Sequence, residues 1–167
     1  RAKKEKKRIV LPETTDVRTL EAAHKILKED IADIILVGDK KSILKIAKGL
    51  DLSKASFIDP QDCDKLDAYV AKLVELRKNK GMTPEDAKEL LITNVLYFGC
   101  IMVKCHDADG MVAGAINSSA NVLRASLQIL KTAPGTKLVS AFFVVVVPDC
   151  DMGANGTFNF SDAGLNQ

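Results

Sequence analysis

The sequence lacks the patterns on which several large classes of protein depend. No uninterrupted apolar run approaches the ~18 residues of a membrane-spanning helix, and the longest covers residues 141–148. The basic N-terminus is not followed by an apolar segment, so we expect no secretory signal there. The four cysteines include no CxxC pair, which argues against a zinc site or a disulfide framework and favours reduced thiols.

Common catalytic and nucleotide-binding motifs are absent as well. Neither GxGxxG nor GxxxxGK[ST] occurs, so neither dinucleotide nor P-loop binding is indicated. The chain has only two histidines and no visible Ser-His-Asp arrangement, so general base catalysis would fall more naturally to a carboxylate. His24 lies on an apolar helix face and is interpreted as a packed histidine. His106 has no evident metal-binding partners.

The composition is that of a globular protein, with 47% hydrophobic and 28% charged residues. The net charge of +2 comes from the N-terminus, where the first eight residues include six basic ones and one acidic one. No aromatic residues are interleaved there, so a solvated helix face is favoured over a nucleic-acid-binding arm.

Short apolar runs alternate with segments of helical period. The predicted strands are residues 8–11, 31–37, 55–58, 109–115, 138–147 and 157–160. The predicted helices are residues 18–30, a short segment around 43–47, 66–79, a segment starting at 83, 95–103 (where a strand is the alternative) and 118–131. Apolar strands alternating with helices indicate a three-layer α/β fold with a mostly parallel sheet.

Residues 109–124 are the stretch richest in chemical possibilities. A predicted strand runs into a turn of small residues, and a helix then begins at Ser118 and Ser119. Free backbone N–H groups at the start of a helix bind anions, and the two hydroxyls add donors. Arg124 follows within two turns and offers a guanidinium to a phosphate. A helix cap beside a surface arginine is the alternative interpretation.

Three further side chains have both a functional and a structural interpretation. Arg18 lies in the first turn of a helix just after a strand, where open α/β sheets bind ligands, although solvent exposure also accounts for it. Arg77 lies near a helix C-terminus, where the helix dipole alone explains a cation. Cys150 is either a reactive thiol near a site or an inert buried cysteine.

Taken in order, segments along the whole chain resemble those of phosphate acetyltransferases. The most specific are Ala108-Asp109-Gly110-Met111-Val112, Gly114-Ala115, Ser118-Ser119, Leu123-Arg124, Leu127-Gln128-Ile129 and Lys131-Thr132. The others are residues 8–13, Asp16, residues 18–20, 31–33, 36–38, 75–78, 80–81, 97–98, 142–143, 148–149, 156–157 and 160–162.

This resemblance implies a fold similar to that of isocitrate and isopropylmalate dehydrogenases, with two α/β domains and the active site in the cleft between them. Residues 1–140 would form most of the first domain, which the family builds from both ends of the chain. Residues 141–167 would begin the second domain. We therefore expect the chain to be the N-terminal half of a longer cytoplasmic protein that forms a homodimer.

The resemblance also implies the reaction acetyl-CoA + phosphate = acetyl phosphate + CoA. Coenzyme A is then a substrate, and no bound cofactor, metal, nucleic acid or membrane is expected. In the family, the coenzyme A thiolate attacks the carbonyl of acetyl phosphate while arginines stabilise the leaving phosphate. The residues that match family positions are Arg18, Arg77 and Arg124 for substrate or phosphate, Ser118 and Ser119 for the hydroxyl turn of the phosphate site, and Cys150 near the cleft in some members.

Part of the family's machinery lies outside this sequence. Its Ser-Arg pair and the aspartate proposed as the base for the thiol belong to the second half, so we expect this chain alone to be inactive. Departures from the family at Asn117 (often His), Asn121 (usually Asp) and Ala125 (usually Pro) leave the acyl preference open.

Three alternatives to the acetyl enzyme stay open. A phosphate butyryltransferase is the closest, although residues 131–135 favour the acetyl enzyme. A non-catalytic phosphate-binding domain represents a different class. A dehydrogenase of similar fold lacks a cofactor fingerprint.

Overall fold

The computed structural model describes residues 2–136, 139 and 142–161. The chain divides into two compact units, Arg1–Lys131 and Thr132–Gln167. The first unit contains β1 (Arg8–Leu11), α1 (Val17–Glu29), β2 (Asp33–Val37), α2 (Lys40–Ile46), β3 (Ser56–Ile58), α3 (Leu66–Arg77), α4 (Pro84–Thr93), α5 (Val95–Lys104), β4 (Gly110–Met111) and α6 (Ser119–Ile129). The second unit contains β5 (Phe142–Val146) and β6 (Thr157–Ser161).

The first unit is organised around a parallel sheet. Its four strands follow the order β3-β2-β1-β4, and each neighbouring pair is parallel. Ile9 of β1 lies beside Ile34 of β2 on one side and Gly110 of β4 on the other. Parallel neighbours require crossover connections, which the intervening helices supply.

Helices cover both faces of this sheet. On one face, Leu11, Ile34 and Leu36 pack with apolar side chains of α1 and α2. On the other face, Val10, Ile35 and Val37 pack with side chains of α3, α4, α5 and α6. The predicted three-layer α/β arrangement with a mostly parallel sheet is confirmed for this unit.

Side chains cap the starts of three helices. Asp16, Thr83 and Ser118 precede α1, α4 and α6, and each side chain accepts a backbone N–H two or three residues on, at 2.8–3.3 Å. The segment that the sequence left as helix or strand is α5, which begins after the cap Asn94.

The strand predicted at residues 109–115 is much shorter. β4 spans only Gly110–Met111, although Val112 N still donates to Val10 O at 3.0 Å. At Gly114 the backbone takes a φ of +109°, a left-handed conformation that favours glycine. The backbone N–H groups of residues 114–117 then donate to the carboxylate of Glu13 instead of to a neighbouring strand. The prediction was wrong beyond β4 because this side chain takes the donors.

The described part of the second unit is an antiparallel hairpin. Phe142 pairs with Ser161 and Val146 with Thr157, and residues 147–156 connect the two strands. Of the strand predicted at residues 138–147, positions 138, 140 and 141 lie outside the described residues. The strand is confirmed at Phe142–Val146, where every residue is exposed. The described residues of this unit provide no layer to cover it.

Within residues 2–136, 139 and 142–161, no helix combines the length and apolarity needed to cross a bilayer.

Candidate functional site

The carboxyl ends of β1 and β4 lie side by side and border a cavity of about 290 Å³. Ligands of open α/β sheets bind at this edge. The lining residues are Leu11, Glu13, Arg18, Thr19, Ala22, Val112, Ala113, Gly114 and Ala115.

Glu13 is a buried carboxylate held by five N–H donors, and only 2% of its surface is exposed. Its Oε2 accepts from Gly114 N at 2.7 Å and Ala115 N at 2.6 Å. Its Oε1 accepts from Ile116 N at 3.2 Å and from Asn117 N and Nδ2, both at 2.8 Å. Successive N–H groups that converge in this way form an anion-binding nest, here defined as residues 114–117. Glu13 is the anion that fills it.

Two effects compete in setting the charge of this carboxylate. Burial raises the pKa of Glu13, but hydrogen bonds from Asn117, Ala115 and Ile116 outweigh burial and lower the pKa below its usual value. Glu13 is therefore ionised at neutral pH despite its burial.

The anion site predicted at residues 109–124 is partly occupied by the protein itself. The nest donors, which lie before the helix start, are taken by Glu13. Among the described residues, the N–H groups of Ser119 and Ala120 have no acceptor, so the open donors belong to the first turn of α6.

Arg18 contacts the nest through a backbone carbonyl, whereas Glu13 contacts it through the N–H groups. Its Nη2 donates to Ala115 O at 2.9 Å and to Asp16 Oδ2 at 2.6 Å. The side chain is 70% exposed at the rim of the cavity. Its predicted position, in the first helical turn after a strand, is confirmed.

Ser118, Ser119 and Arg124 lie together at the start of α6. Ser118 Oγ accepts from Asn121 N at 3.3 Å, which leaves its hydroxyl proton available, and Ser119 is exposed. The exposed Arg124 reaches back, so that its Nη1 lies 3.4 Å from Asn121 Oδ1. Its guanidinium is therefore beside the first turn of α6 and the open donors there.

The positive charges of Arg77 and Arg124 both act on Tyr97. The Tyr97 hydroxyl donates to Gln128 Oε1 at 2.9 Å. Burial raises the pKa of Tyr97, and the charges of Arg77 and Arg124 oppose that rise. Arg77 Nε is buried with no hydrogen-bond partner among the described residues, an uncommon arrangement that costs free energy.

Cys150 lies in the second unit, between β5 and β6, and is half-buried. Cys63, Cys100, Cys105 and Cys150 are all unbridged. A position of Cys150 near the family's cleft stays a prediction.

Histidine and metal chemistry find little support in the described part of the chain. His24 is half-buried, and its Nδ1 accepts from Asp51 N at 3.0 Å, so it tethers a loop. Within residues 2–136, 139 and 142–161, no group of three or more His, Cys, Asp or Glu side chains is arranged to hold a metal ion.

Sequence reasoning gave no role to Glu13, Tyr97 or Gln128, which occur in it within the segments of the family resemblance. The available signal for Glu13 was a carboxylate directly after one strand, combined with a turn of small residues after another. Two parallel strands bring such segments to the same edge, but only if they are neighbours in the sheet, which the sequence did not specify.

Comparisons with known proteins agree in one family. The family model described as phosphate acetyl/butaryl transferase matches residues 1–167. The phosphate acetyltransferase of Thermoanaerobacterium thermosaccharolyticum is 53% identical over 166 residues, covering 99% of this chain and 50% of the relative. That of Acetivibrio thermocellus is 55% identical over 165 residues, covering 99% of this chain and 49% of the relative.

Solved structures give the same result. The EutD phosphotransacetylase of Staphylococcus aureus superposes with a TM-score of 0.85 at 34% identity, covering 99% of this chain and 48% of the other. A phosphotransacetylase of Streptococcus pyogenes superposes with a TM-score of 0.78 at 36% identity, covering 84% and 43%. The chain thus spans about half the length of the relatives it matches.

Proposed function

Because the chain belongs to the phosphate acetyl/butaryl transferase family, we propose that the full-length protein transfers an acetyl group between coenzyme A and phosphate. The single observation that carries this proposal is the 53% identity to a phosphate acetyltransferase across 99% of the chain. The reaction is acetyl-CoA + phosphate = acetyl phosphate + CoA.

The start of α6 is the proposed phosphate site. The open N–H groups of Ser119 and Ala120, the two serine hydroxyls and the guanidinium of Arg124 together form a set of donors for a phosphoryl group. Arg77 supports the site from α3, through the region around Tyr97. Arg18, at the rim of the neighbouring cavity, serves a second anionic part of the substrates.

In the proposed reaction, the coenzyme A thiolate forms a C–S bond with the acetyl carbonyl while the C–O bond to phosphate breaks. Negative charge builds up on the departing phosphate, and arginines already in place stabilise it without reorganisation. Holding both substrates in one geometry supplies much of the remaining effect. The base for the thiol is expected in the second half of the protein, as in the family.

The larger architecture is part of the proposal. We place residues 1–140 in the first of two α/β domains of the isocitrate and isopropylmalate dehydrogenase type, and residues 141–167 at the start of the second. The coverage of about half of each relative supports a second half that completes the cleft. The same proposal places Cys150 near that cleft. It also includes a cytoplasmic location and a homodimer.

A phosphate butyryltransferase is the second candidate, because the family description covers both acyl groups. Assaying the full-length protein with acetyl phosphate and with butyryl phosphate, by following thioester formation on coenzyme A, separates the two. Turnover of neither substrate would exclude both and favour a non-catalytic phosphate-binding domain.

Arg124→Ala tests the phosphate site directly. We expect kcat/KM for acetyl phosphate to fall about a hundredfold, as for other single donors to a developing anion. Lys88→Ala, which removes an exposed cation on α4, is the matched control and should leave kcat/KM unchanged. Wild-type kinetics for Arg124→Ala would remove this arginine from the site.

A further inference from the structure

We propose that Glu13 is a positioning residue, whose carboxylate fixes the nest and, through it, Arg18 and the start of α6. This role, which rests on the proposed function, belongs to a side chain that neither the sequence motifs nor the family resemblance singled out. Glu13 is buried, and both of its carboxylate oxygens accept hydrogen bonds from backbone and amide donors.

The nest requires a carboxylate with two accepting oxygens. Oε2 accepts two N–H groups, and Oε1 accepts three. In Glu13→Gln, the side-chain NH₂ replaces one of these oxygens and therefore faces at least two N–H donors, whichever way the amide is turned. The neutral variant is nearly the same size but sets donors against donors, so it tests charge and acceptor number separately from volume.

The nest connects Glu13 to two parts of the proposed site. Ala115 donates its N–H to Glu13 and uses its carbonyl to accept from Arg18 at 2.9 Å. Asn117 donates to Glu13 through two groups and is followed directly by Ser118, the cap of α6. A shift of this turn therefore moves the acceptor of Arg18 and the first turn of α6 together. Misplacement by about 1 Å costs catalysis heavily.

The ionisation of Glu13 also supports a positioning role, because a carboxyl group that was only buried would have a raised pKa. The hydrogen bonds to Glu13 outweigh its desolvation, since the pKa of the buried carboxyl is lowered. The nest thus stabilises the ionised form, and the ionised form holds the nest.

The test compares Glu13→Gln and Glu13→Ala with Glu21→Gln and Glu21→Ala in the full-length protein. Glu21 is exposed on α1, so its variants control for loss of a glutamate near the same edge. We expect both Glu13 variants to raise KM for acetyl phosphate about tenfold or more, with a smaller change in kcat, because the proposed role of Glu13 is to hold groups that bind the substrate.

Rescue by a small anion provides a readout that lost packing does not reproduce. Sodium formate should enter the vacant nest of Glu13→Ala and return KM toward the wild-type value, whereas sodium chloride at equal ionic strength should not. Formate should improve neither the wild type nor Glu21→Ala. A Glu13→Ala variant that formate does not improve, or a Glu13→Gln variant with wild-type KM, overturns the proposal.

Amide hydrogen exchange keeps this test independent of the proposed function. The amides of residues 114–117 should exchange slowly in the wild type, faster in Glu13→Gln and Glu13→Ala, and slowly again when formate is added to Glu13→Ala. If Glu13→Ala does not fold, Glu13→Gln carries the comparison. A wild type without turnover would refute the proposed function, while unchanged exchange in the variants would refute the role of Glu13.

Discussion

At the scale of single residues, charged side chains of this protein hold distant parts of the backbone together. Glu13 accepts hydrogen bonds from the nest, residues 114–117, which lies 101 to 104 positions further along the chain. Arg8 is likewise tied to Asp109, through Nη2 at 3.0 Å and through its own backbone N–H at 2.8 Å. Both contacts bind β1 to the segment around β4, one at each end of the pair.

Asp109 should make stability depend on pH in acid. Side-chain and backbone hydrogen bonds from Arg8 lower the pKa of Asp109 from 3.8 to about 2. Because the folded-state pKa is the lower one, this stabilisation is present above pH 3.8 and is lost as the pH falls toward 2. In urea denaturation, the stability difference between wild type and Asp109→Asn should shrink across that window. The exposed Glu89→Gln is the control, and a constant difference for Asp109→Asn would contradict the assignment.

Asn121→Asp should stabilise the protein. Asn121 lies in the first turn of α6 and faces Arg124, three residues on. A carboxylate there interacts favourably with the helix dipole and with the guanidinium, so we expect a gain of about 0.3–1 kcal/mol in the free energy of unfolding at low salt. The gain should fade in high salt, whereas Asn121→Ala should show none. A salt-independent gain would point to a different cause.

At the scale of elements, α5 lies unusually close to the sheet. A Cβ at Gly99 would come within 2.6 Å of Met111 Sδ and 3.3 Å of Val10 Cγ1. The absence of a side chain at this position therefore lets α5 pack against β1 and β4, the strands that carry the proposed site.

Gly99→Ala should destabilise the fold despite the better helix propensity of alanine. Overpacking typically costs about 1–3 kcal/mol, against a propensity gain of about 1 kcal/mol or less. Measured by urea denaturation, the substitution should cost less in a Met111→Ala background, where the closer obstacle is gone. Equal costs in the two backgrounds would show that Met111 is not the obstacle.

At the scale of the whole molecule, the described chain contains a three-layer unit and a hairpin whose apolar strand is exposed. The proposed phosphate donors belong to the first unit, while the expected base for the thiol lies in neither. Binding and chemistry are thus divided between the two halves of the proposed full-length enzyme.

The 167-residue chain alone should therefore be inactive. Purified and shown to be folded by circular dichroism, it should turn over neither acetyl phosphate nor butyryl phosphate, while the full-length protein does. Addition of the separately produced second half is the informative control, because regained turnover would locate the missing groups there. Robust activity of the 167-residue chain by itself would mean that the base lies within it.

The helices and the first three strands could be predicted because their signals are local. Asp16 and Thr83 directly precede Val17 and Pro84, the first residues of their helices, and the apolar runs of β1 and β2 are unbroken. The early end of β4 and the nest could not be predicted, because both depend on the carboxylate of Glu13, which is remote in sequence. The exposure of β5 could not be predicted either, because the sequence of a strand does not specify which element covers it.

Because Glu13 fills the nest, the turn at residues 114–117 forms as the chain folds and needs no bound ligand. The anion that organises residues 114–117 is the carboxylate of Glu13, which is covalently part of the chain. Its effective concentration at the nest is therefore fixed by the fold and does not depend on the concentration of any free anion. A turn built around a diffusible phosphate would loosen whenever phosphate became scarce. In the proposed enzyme, the acceptor for Arg18 and the start of α6 would therefore be in place before a substrate binds.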